Sequence, residues 1–327
     1  MATSVTRAAA PGAVASTNSA TAPGRTLRTG LRLPSGQPIR RTAFPTREAN
    51  VPGWRVCHPD RIAAATVRAL HTTPVKGLQV VAREQIELTR DGADEDRRFY
   101  LVDERGRMVN SRQLGTLNEV VADYDAGSRT LALRFPDGAC VRAEIELGAP
   151  LQTSFYSRPA QARELLGDFG AALSDHVGRA VRIVEGVDRR GVDRGRAGAV
   201  SLVSQASVRA LARVAGGAAV DERRFRMLVV IDGVGEAHEE DTWVGERVRV
   251  GAALVRVRGH VGRCNITHRH PETGEPDLPT LDLLQSYRAA LDTTEPLAFG
   301  VYGEVLEPGR VAVGDAVRLE RPPTGRR

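Results

Sequence analysis

One short segment of the sequence places a cysteine among basic side chains. Cys264 directly follows Arg263, and histidines lie at positions 260, 268 and 270. Positive charge next to a thiol lowers the pKa of the thiol and favours the thiolate, which is the form that attacks electrophiles and binds metals. We therefore expect Cys264 to carry the chemistry of this chain, as a metal ligand or as a catalytic group.

The residues of this segment alone leave three interpretations open. His260, Cys264, His268 and His270 could supply the four ligands of a zinc site. Cys264 could instead be a nucleophile paired with a histidine, although no known Cys/His signature accompanies it. In the third interpretation the segment is a loop whose cysteine is solvated and has no chemical role.

The elements that must position this segment are predicted from hydrophobic patterning, since alternating stretches indicate strands and apolar residues at helical spacing indicate helices. The predicted strands cover residues 66–70, 85–89, 98–102, 130–135, 141–147, 181–184, 200–203, 227–231, 247–250, 253–258, 299–305, 310–313 and 316–319. Helices are predicted at residues 168–177, at 205–214 after an N-cap at Ser204, and at 280–291. The predicted fold is mainly β with some helices (α+β), built as two β-barrel-like units.

Changes in composition divide the chain into five regions. Residues 1–61 are rich in Ala, Ser, Thr, Pro and Arg and lack hydrophobic periodicity, which predicts a disordered extension. The other regions are a first β domain at 62–184, a Gly-, Arg- and Asp-rich linker at 185–198, a second β domain at 199–320 and a tail at 321–327. We expect a cytoplasmic bacterial protein. An organelle transit peptide and a start codon assigned too early are the alternatives for residues 1–61, because transit peptides share this composition.

The composition also excludes several classes of protein. Residues 1–61 hold nine arginines and two acidic residues, so +7 of charge lies there and the rest of the chain carries −1 of the total of +6. We expect no nucleic-acid partner, because nucleic-acid binding needs a basic face on the folded part. No stretch of about 18 apolar residues occurs, so no membrane span is expected. Three dispersed cysteines argue against a disulfide scaffold.

Lysine is used once in this chain. Of the 46 basic residues, Lys76 is the single lysine and the others are arginines. A coding bias from a GC-rich genome explains the preference for arginine. It leaves open why an ammonium group is kept at position 76.

Several short motifs of the sequence resemble those of the MOSC domain. Around the cysteine they are residues 263–267 (Arg-Cys-Asn-Ile-Thr), residues 271–274 (Pro-Glu-Thr-Gly) and the helix at 280–288. Two later segments, residues 299–302 and 309–315, resemble the C-terminal end of the MOSC domain. In the family, a β-barrel domain precedes the MOSC domain. Three further segments resemble motifs of that β-barrel domain: residues 73–77 (Thr-Pro-Val-Lys-Gly), 96–102 and 110–113 (Asn-Ser-Arg-Gln). The resemblance covers about residues 62–320.

The resemblance implies a protein that binds the molybdenum cofactor (molybdopterin with Mo), similar to the mitochondrial amidoxime-reducing component and its bacterial relatives. The implied cofactor-binding residues are Lys76, Arg98, Arg226, Arg263, Cys264 and Thr267. Within this set, Cys264 is the implied metal ligand, and Lys76, Arg98 and Arg226 are the implied contacts to phosphate and pterin. These roles agree with the preference of molybdenum for thiolate and of phosphate for cations. Pyridoxal phosphate binding is a further property that the resemblance brings with it.

The sequence departs from the family's pattern at three places. Gly77 follows the lysine where serine is frequent, and Met227-Leu228 follows Arg226 where a Pro-Asn pair is common. His270-Pro271 replaces the usual Asp-Pro before the Thr-Gly turn. We expect these changes to alter substrate preference more than cofactor binding.

The resemblance implies an oxidoreductase that reduces N-oxygenated small molecules, such as N-hydroxylated amidines or hydroxylamines. No G-x-G-x-x-G follows a strand and no set of cysteines could hold an iron–sulfur cluster, so we expect a separate reductase of the flavin, ferredoxin or cytochrome type. Two alternatives stay open. In one, the chain is a non-catalytic carrier of the cofactor or of sulfur, with a persulfide on Cys264. In the other, it is a biosynthetic enzyme that forms or breaks an N–O bond.

Overall fold

The computed structural model of the chain describes residues 65–187, 193 and 195–320, so the predictions for residues 1–61 and 321–327 lie outside the described residues. The described strands are β1 (Thr66–Thr72), β2 (Val75–Lys76), β3 (Val81–Arg83), β4 (Gln85–Thr89), β5 (Gly92–Ala93), β6 (Phe99–Val102), β7 (Met108–Val109), β8 (Val121–Asp125), β9 (Thr130–Arg134), β10 (Cys140–Glu144), β11 (Leu147–Phe155), β12 (Arg158–Leu165), β13 (Arg182–Gly186), β14 (Val200–Ser204), β15 (Val229–Asp232), β16 (Arg247–Val250), β17 (Ala253–Gly262), β18 (Ala298–Glu307), β19 (Gly309–Ala312) and β20 (Val317–Leu319). The α-helices are α1 (Phe169–Val177), α2 (Gln205–Val214) and α3 (Thr280–Arg288). Within the described residues, no helix is long and apolar enough to cross a membrane.

The largest sheet closes on itself. Its eight strands follow the order β20-β16-β17-β18-β14-β15-β1-β3, and β14 and β15 run parallel to each other. The backbone of Val67 in β1 exchanges 2.8 Å hydrogen bonds with Gly314 and Asp315, just before β20. These bonds join the two sides of the sheet into a barrel, which removes open strand edges. The prediction of a mainly β fold with some helices is confirmed.

A second sheet and one helix enclose a separate core. Strands β11-β12-β13-β6-β2 are paired in that order, and β7 pairs with β6. The three-stranded sheet β10-β9-β8 and helix α1 complete the walls. The buried side chains of this core include Phe99, Leu101, Leu117, Leu131, Leu133, Phe169, Leu173 and Ile183. Their apolar area removed from water is the main stabilising contribution of this part of the molecule.

The early strands also take part in the larger barrel. β1 pairs with β15, β3 extends the same sheet from β1, and β4 pairs with β19 near the end of the chain. Residues assigned to the first predicted domain therefore complete a sheet formed mainly by residues of the second. The domain boundaries themselves stay a prediction.

Two helices cover the barrel beside the cysteine segment. Ser204 accepts a 3.1 Å hydrogen bond from the N–H of Ser207, which confirms the predicted N-cap of α2. Leu211 of α2 and Leu284 of α3 are buried in one apolar cluster with Phe225 and Phe299. This packing fixes the end of β17, from which the cysteine segment departs.

Candidate functional site

A cavity of about 440 Å³ lies between the eight-stranded barrel and the second sheet. Its walls come from the β2 turn at Lys76, the loop at Asn110, the β11–β12 hairpin at Tyr156, the turn at Arg226 and the segment at Cys264. Five segments far apart in sequence thus converge on one space. We call the segment Arg263–His268 the thiol end of this cavity, and Lys76, Arg97 and Arg226 its cation end.

Cys264 places a free thiol in the cavity. The residue is exposed and extended, and it precedes a 3-10 helix at Asn265–His268. Its carbonyl oxygen accepts hydrogen bonds from the N–H of Thr267 at 3.1 Å and from the Thr267 hydroxyl at 3.0 Å. Thr267 itself is buried and does not line the cavity. It therefore holds the backbone on which the thiol is carried.

A buried arginine supports this turn from below. Arg224 donates to the carbonyl of Thr267 at 3.0 Å and contacts the two carboxylate oxygens of Asp277 at 3.0 and 2.9 Å. The hydroxyl of Thr280, at the start of α3, donates to the same carbonyl at 2.7 Å. The backbone beneath Cys264 is thus tied to both the Arg224 turn and α3.

The histidines near Cys264 serve the local fold. His268 Nε2 accepts a 3.0 Å hydrogen bond from the first turn of α3, and His270 Nδ1 accepts from two backbone N–H groups of its own turn at 3.3 Å. His260 is buried and bonds Thr294. In the described part of the chain, no three His, Cys, Asp or Glu side chains are placed to hold a metal ion. The arrangement of these side chains therefore argues against a zinc site formed by His260, Cys264, His268 and His270.

The cation end holds a carboxylate of the chain itself. Lys76 Nζ donates to both carboxylate oxygens of Asp193 at 2.7 Å, and Arg97 Nε lies 3.2 Å from one of them. The ammonium group also lies 5.5 Å from the centroid of the Tyr156 ring. An anion in this position is bound by two cations that are only 13 and 19% exposed.

Arg97 lines the cavity but does not belong to the set of cofactor-binding residues implied by the family resemblance. Its guanidinium pairs with Asp96 and donates to the carbonyl of Arg226 at 2.7 Å. Burial alone would lower the pKa of Arg97, but the carboxylates of Asp96 and Asp193 outweigh burial and raise that pKa. The position has a left-handed φ of 50°, and its side chain lines the cavity whereas that of Arg98 does not. No feature of the sequence signals this turn.

Arg226 supplies a third cation, and no carboxylate of the described residues forms an ion pair with it. It has a φ of 54° after the 3-10 helix Glu222–Phe225, and its guanidinium donates to the carbonyl of Leu78. Burial, followed by the charge of Arg97, lowers the pKa of Arg226 to about 10. Arg226 is thus still protonated near neutral pH, and burial leaves its charge poorly solvated. An anion entering the cavity would relieve that cost.

The other two arginines of the predicted set occupy different environments. Arg98 does not line the cavity, and its guanidinium lies 3.9 Å from the buried carboxylate of Glu185. Arg263 does line the cavity, but it donates to the carbonyls of Phe299 and Phe225, both at 2.9 Å. Its guanidinium also lies 5.3 Å from the centroid of the Phe225 ring. Arg263 therefore organises the wall beside Cys264.

Two departures from the family pattern have structural reasons. Gly77 has a φ of +103°, and a Cβ added there would lie 3.0 Å from the Cα of Asn110. A serine at this position would be strained in this backbone. Met227 lines the cavity, and its sulfur accepts a 2.9 Å hydrogen bond from Arg263. These two residues shape the walls without adding charge.

The sequence matches two domain families. Residues 64–178 match the MOSC N-terminal beta barrel domain, and residues 189–318 match the MOSC domain. Together these matches span most of the described chain. Among proteins of curated function, none matches this sequence.

Solved structures of low sequence identity also resemble the chain. The YUAD protein from Bacillus subtilis is 12% identical over 78% of this chain and 94% of its own, with a TM-score of 0.38. YiiM from Geobacillus stearothermophilus is 17% identical over 55% of this chain and 75% of its own, with a TM-score of 0.30. YiiM from Escherichia coli is 17% identical over 39 and 56%, with a TM-score of 0.28.

The two consecutive domain matches agree with the barrel, with the second core and with the motifs around Cys264. The chain belongs to the MOSC-domain proteins that carry an N-terminal MOSC β-barrel domain.

Proposed function

We propose that the cavity binds the molybdenum cofactor, with Cys264 as the metal ligand and the cation end as the phosphate contact. MOSC domains are associated with binding of this cofactor. The observation that carries the proposal is that one free thiol and three cations from distant segments line the same space. Lys76 and Arg226 belong to the set implied by the resemblance, and Arg97 takes the place given there to Arg98.

The groups present fit the chemistry of this cofactor. Molybdenum prefers a thiolate, and a phosphate prefers arginine and lysine. The cations already bind the carboxylate of Asp193, so the position accepts an oxyanion. The cavity volume of about 440 Å³ falls within the range of small-molecule sites, about 300–1,000 Å³.

The proposed reaction is the two-electron reduction of an N-oxygenated compound. An N-hydroxylated amidine, two electrons and two protons give the amidine and water. When bound, the cofactor supplies the redox chemistry of this change. A separate reductase supplies the electrons. This protein's own residues bind and orient: Cys264 holds the metal, Arg224 and Thr267 keep the thiol in place, and the cation end anchors the phosphate.

Metal analysis of the purified protein tests cofactor binding. We expect about one molybdenum per chain in the wild type and its loss in Cys264→Ala. Cys140→Ala is the matched control, because Cys140 is also free and exposed but lies in β10, away from the cavity. Equal molybdenum in both variants would contradict the assignment of Cys264.

Turnover tests the reaction itself. Molybdenum-loaded protein should reduce benzamidoxime to benzamidine with an artificial electron donor, and Cys264→Ala should not. If loaded wild-type protein reduces neither benzamidoxime nor a hydroxylamine, the enzymatic part of the proposal is wrong while cofactor binding stands.

The free, exposed thiol also favours a second candidate function, a carrier with a persulfide on Cys264. This candidate predicts purified protein without molybdenum and a sulfur atom on Cys264 that cyanide releases. The same Cys140→Ala control then shows whether the labile sulfur belongs to the cavity.

A further inference from the structure

Arg112 is a cation of the cavity wall for which the described residues provide no side-chain partner. Among the described residues, the basic side chains that line the cavity are Lys76, Arg97, Arg107, Arg112, Arg226 and Arg263. Five of them contact carboxylates or carbonyl oxygens, including Arg107, whose Nε lies 2.9 Å from Asp103. The side chain of Arg112 is exposed and makes no hydrogen bond or ion pair within the described part of the chain.

The backbone of Arg112 is nevertheless fixed. Its N–H donates to the side chain of Asn110 at 2.9 Å, and its carbonyl accepts a 3.4 Å hydrogen bond from Arg269. Arg269 directly follows the 3-10 helix that Cys264 precedes, and it also donates to the carbonyl of Gly274 at 2.6 Å. The Arg112 side chain is thus carried by a loop tied to the thiol end.

We propose that Arg112 binds an anionic group of the substrate, and that the protein prefers N-hydroxylated compounds bearing a carboxylate. This inference rests on the proposed function. The cation end is assigned to the cofactor's phosphate, and Arg107 and Arg263 are engaged by the protein, so Arg112 is left for the substrate. A guanidinium fork matches the two oxygens of a carboxylate. A bidentate charge-assisted pair is stronger than a simple surface ion pair, but the side chain is exposed, so we expect a selectivity of about tenfold rather than absolute discrimination.

A matched pair of substrates tests the inference. We would measure kcat/KM for benzamidoxime and 4-carboxybenzamidoxime with reduced methyl viologen as donor, which removes any contribution from docking of a protein reductase. The wild type should prefer the carboxylate by about tenfold through a lower KM. Arg112→Gln should lose this preference, because kcat/KM should fall more for 4-carboxybenzamidoxime than for benzamidoxime. Arg105→Gln, which alters an exposed arginine outside the cavity lining, should behave as the wild type.

Binding without turnover separates this inference from the proposed function. Calorimetry with 4-carboxybenzamidoxime should show about tenfold weaker binding to Arg112→Gln than to the wild type, even if the protein reduces neither compound. Equal affinities would overturn the inference. So would a loss of molybdenum in Arg112→Gln, which would assign the residue to the cofactor, or a defect seen only with a protein donor, which would assign it to docking.

Discussion

Beneath the thiol end, Arg224 and Arg263 bond groups that do not line the cavity, including the Thr267 carbonyl and the Asp277 carboxylate, whereas at the cation end Lys76 and Arg97 contact the carboxylate of Asp193, which does line it. Carbonyl groups of the folded backbone cannot be exchanged for a ligand. The Asp193 carboxylate lines the cavity, so it can give way to another oxyanion. The basic residues at the thiol end therefore support the fold, and those that contact Asp193 are placed to bind an anionic ligand.

This contrast predicts that substitutions at the two ends differ in what they change. At the thiol end they should reduce the free energy of unfolding. At the cation end, a change of the Asp193 carboxylate should alter affinity for anions and leave stability nearly intact.

The largest expected effect is that of Arg224→Ala. It removes the buried guanidinium that bonds the Thr267 carbonyl and the partly exposed carboxylate of Asp277, which should cost about 2–3 kcal/mol in the free energy of unfolding. Chemical denaturation measures this cost. The control is Arg223→Ala, whose partially exposed pairs with Asp221 and Glu272 should contribute less than about 1 kcal/mol. Equal losses in the free energy of unfolding for Arg224→Ala and Arg223→Ala would contradict the supporting role assigned to Arg224.

An intermediate effect is expected for Asp193→Asn at the cation end. Removing this carboxylate frees Lys76 and Arg97, so affinity for inorganic phosphate should rise about tenfold in metal-free protein, as measured by calorimetry. High salt should reduce the gain. Asp91→Asn is the control, because Asp91 lines the same cavity and pairs with Arg196. Unchanged phosphate affinity in Asp193→Asn would mean that the carboxylate and the phosphate do not share a position.

The smallest expected effect concerns His238, which lies against Phe299 under the thiol end. Burial, followed by the charge of Arg288, lowers the pKa of His238 to about 3. In the unfolded chain this ring is protonated near pH 6.5. The folded protein keeps the ring neutral, so protonation favours the unfolded chain below pH 6.5. The stabilising contribution of the neutral His238 ring is therefore full above pH 6.5 and is lost as the pH falls towards 3. The free energy of unfolding should fall between pH 7 and pH 5 by about 1 kcal/mol less in His238→Phe than in the wild type, allowing for solvent screening. If the free energies of unfolding of the wild type and His238→Phe change equally with pH, the lowered pKa of His238 is contradicted.

Much of the fold follows from local patterns of the sequence. The strand at Gln85–Thr89, the helix at Gln205–Val214 and its Ser204 cap were all predictable, because periodicity and capping are local properties. The β11–β12 hairpin was not predicted. Its turn places Tyr156 and Ser157 at φ values of 47° and 64°, and these residue types do not signal such a turn.

The site was less predictable than the fold. Motif order indicates Cys264, Lys76 and Arg226, and these three residues do line one cavity. The choice between the neighbours Arg97 and Arg98 depends on a left-handed backbone position that only the surrounding contacts determine. The Asp193 contact joins residues 117 positions apart and has no local signal.

The most direct test of the account is the sulfur coordination of molybdenum in the purified protein, measured by X-ray absorption spectroscopy. We compare wild type with Cys264→Ser loaded with the cofactor in vitro, and with Cys140→Ser as the control. We expect one fewer sulfur ligand in Cys264→Ser and no change in Cys140→Ser. The same number of sulfur ligands in all three proteins would contradict the claim that Cys264 holds the metal.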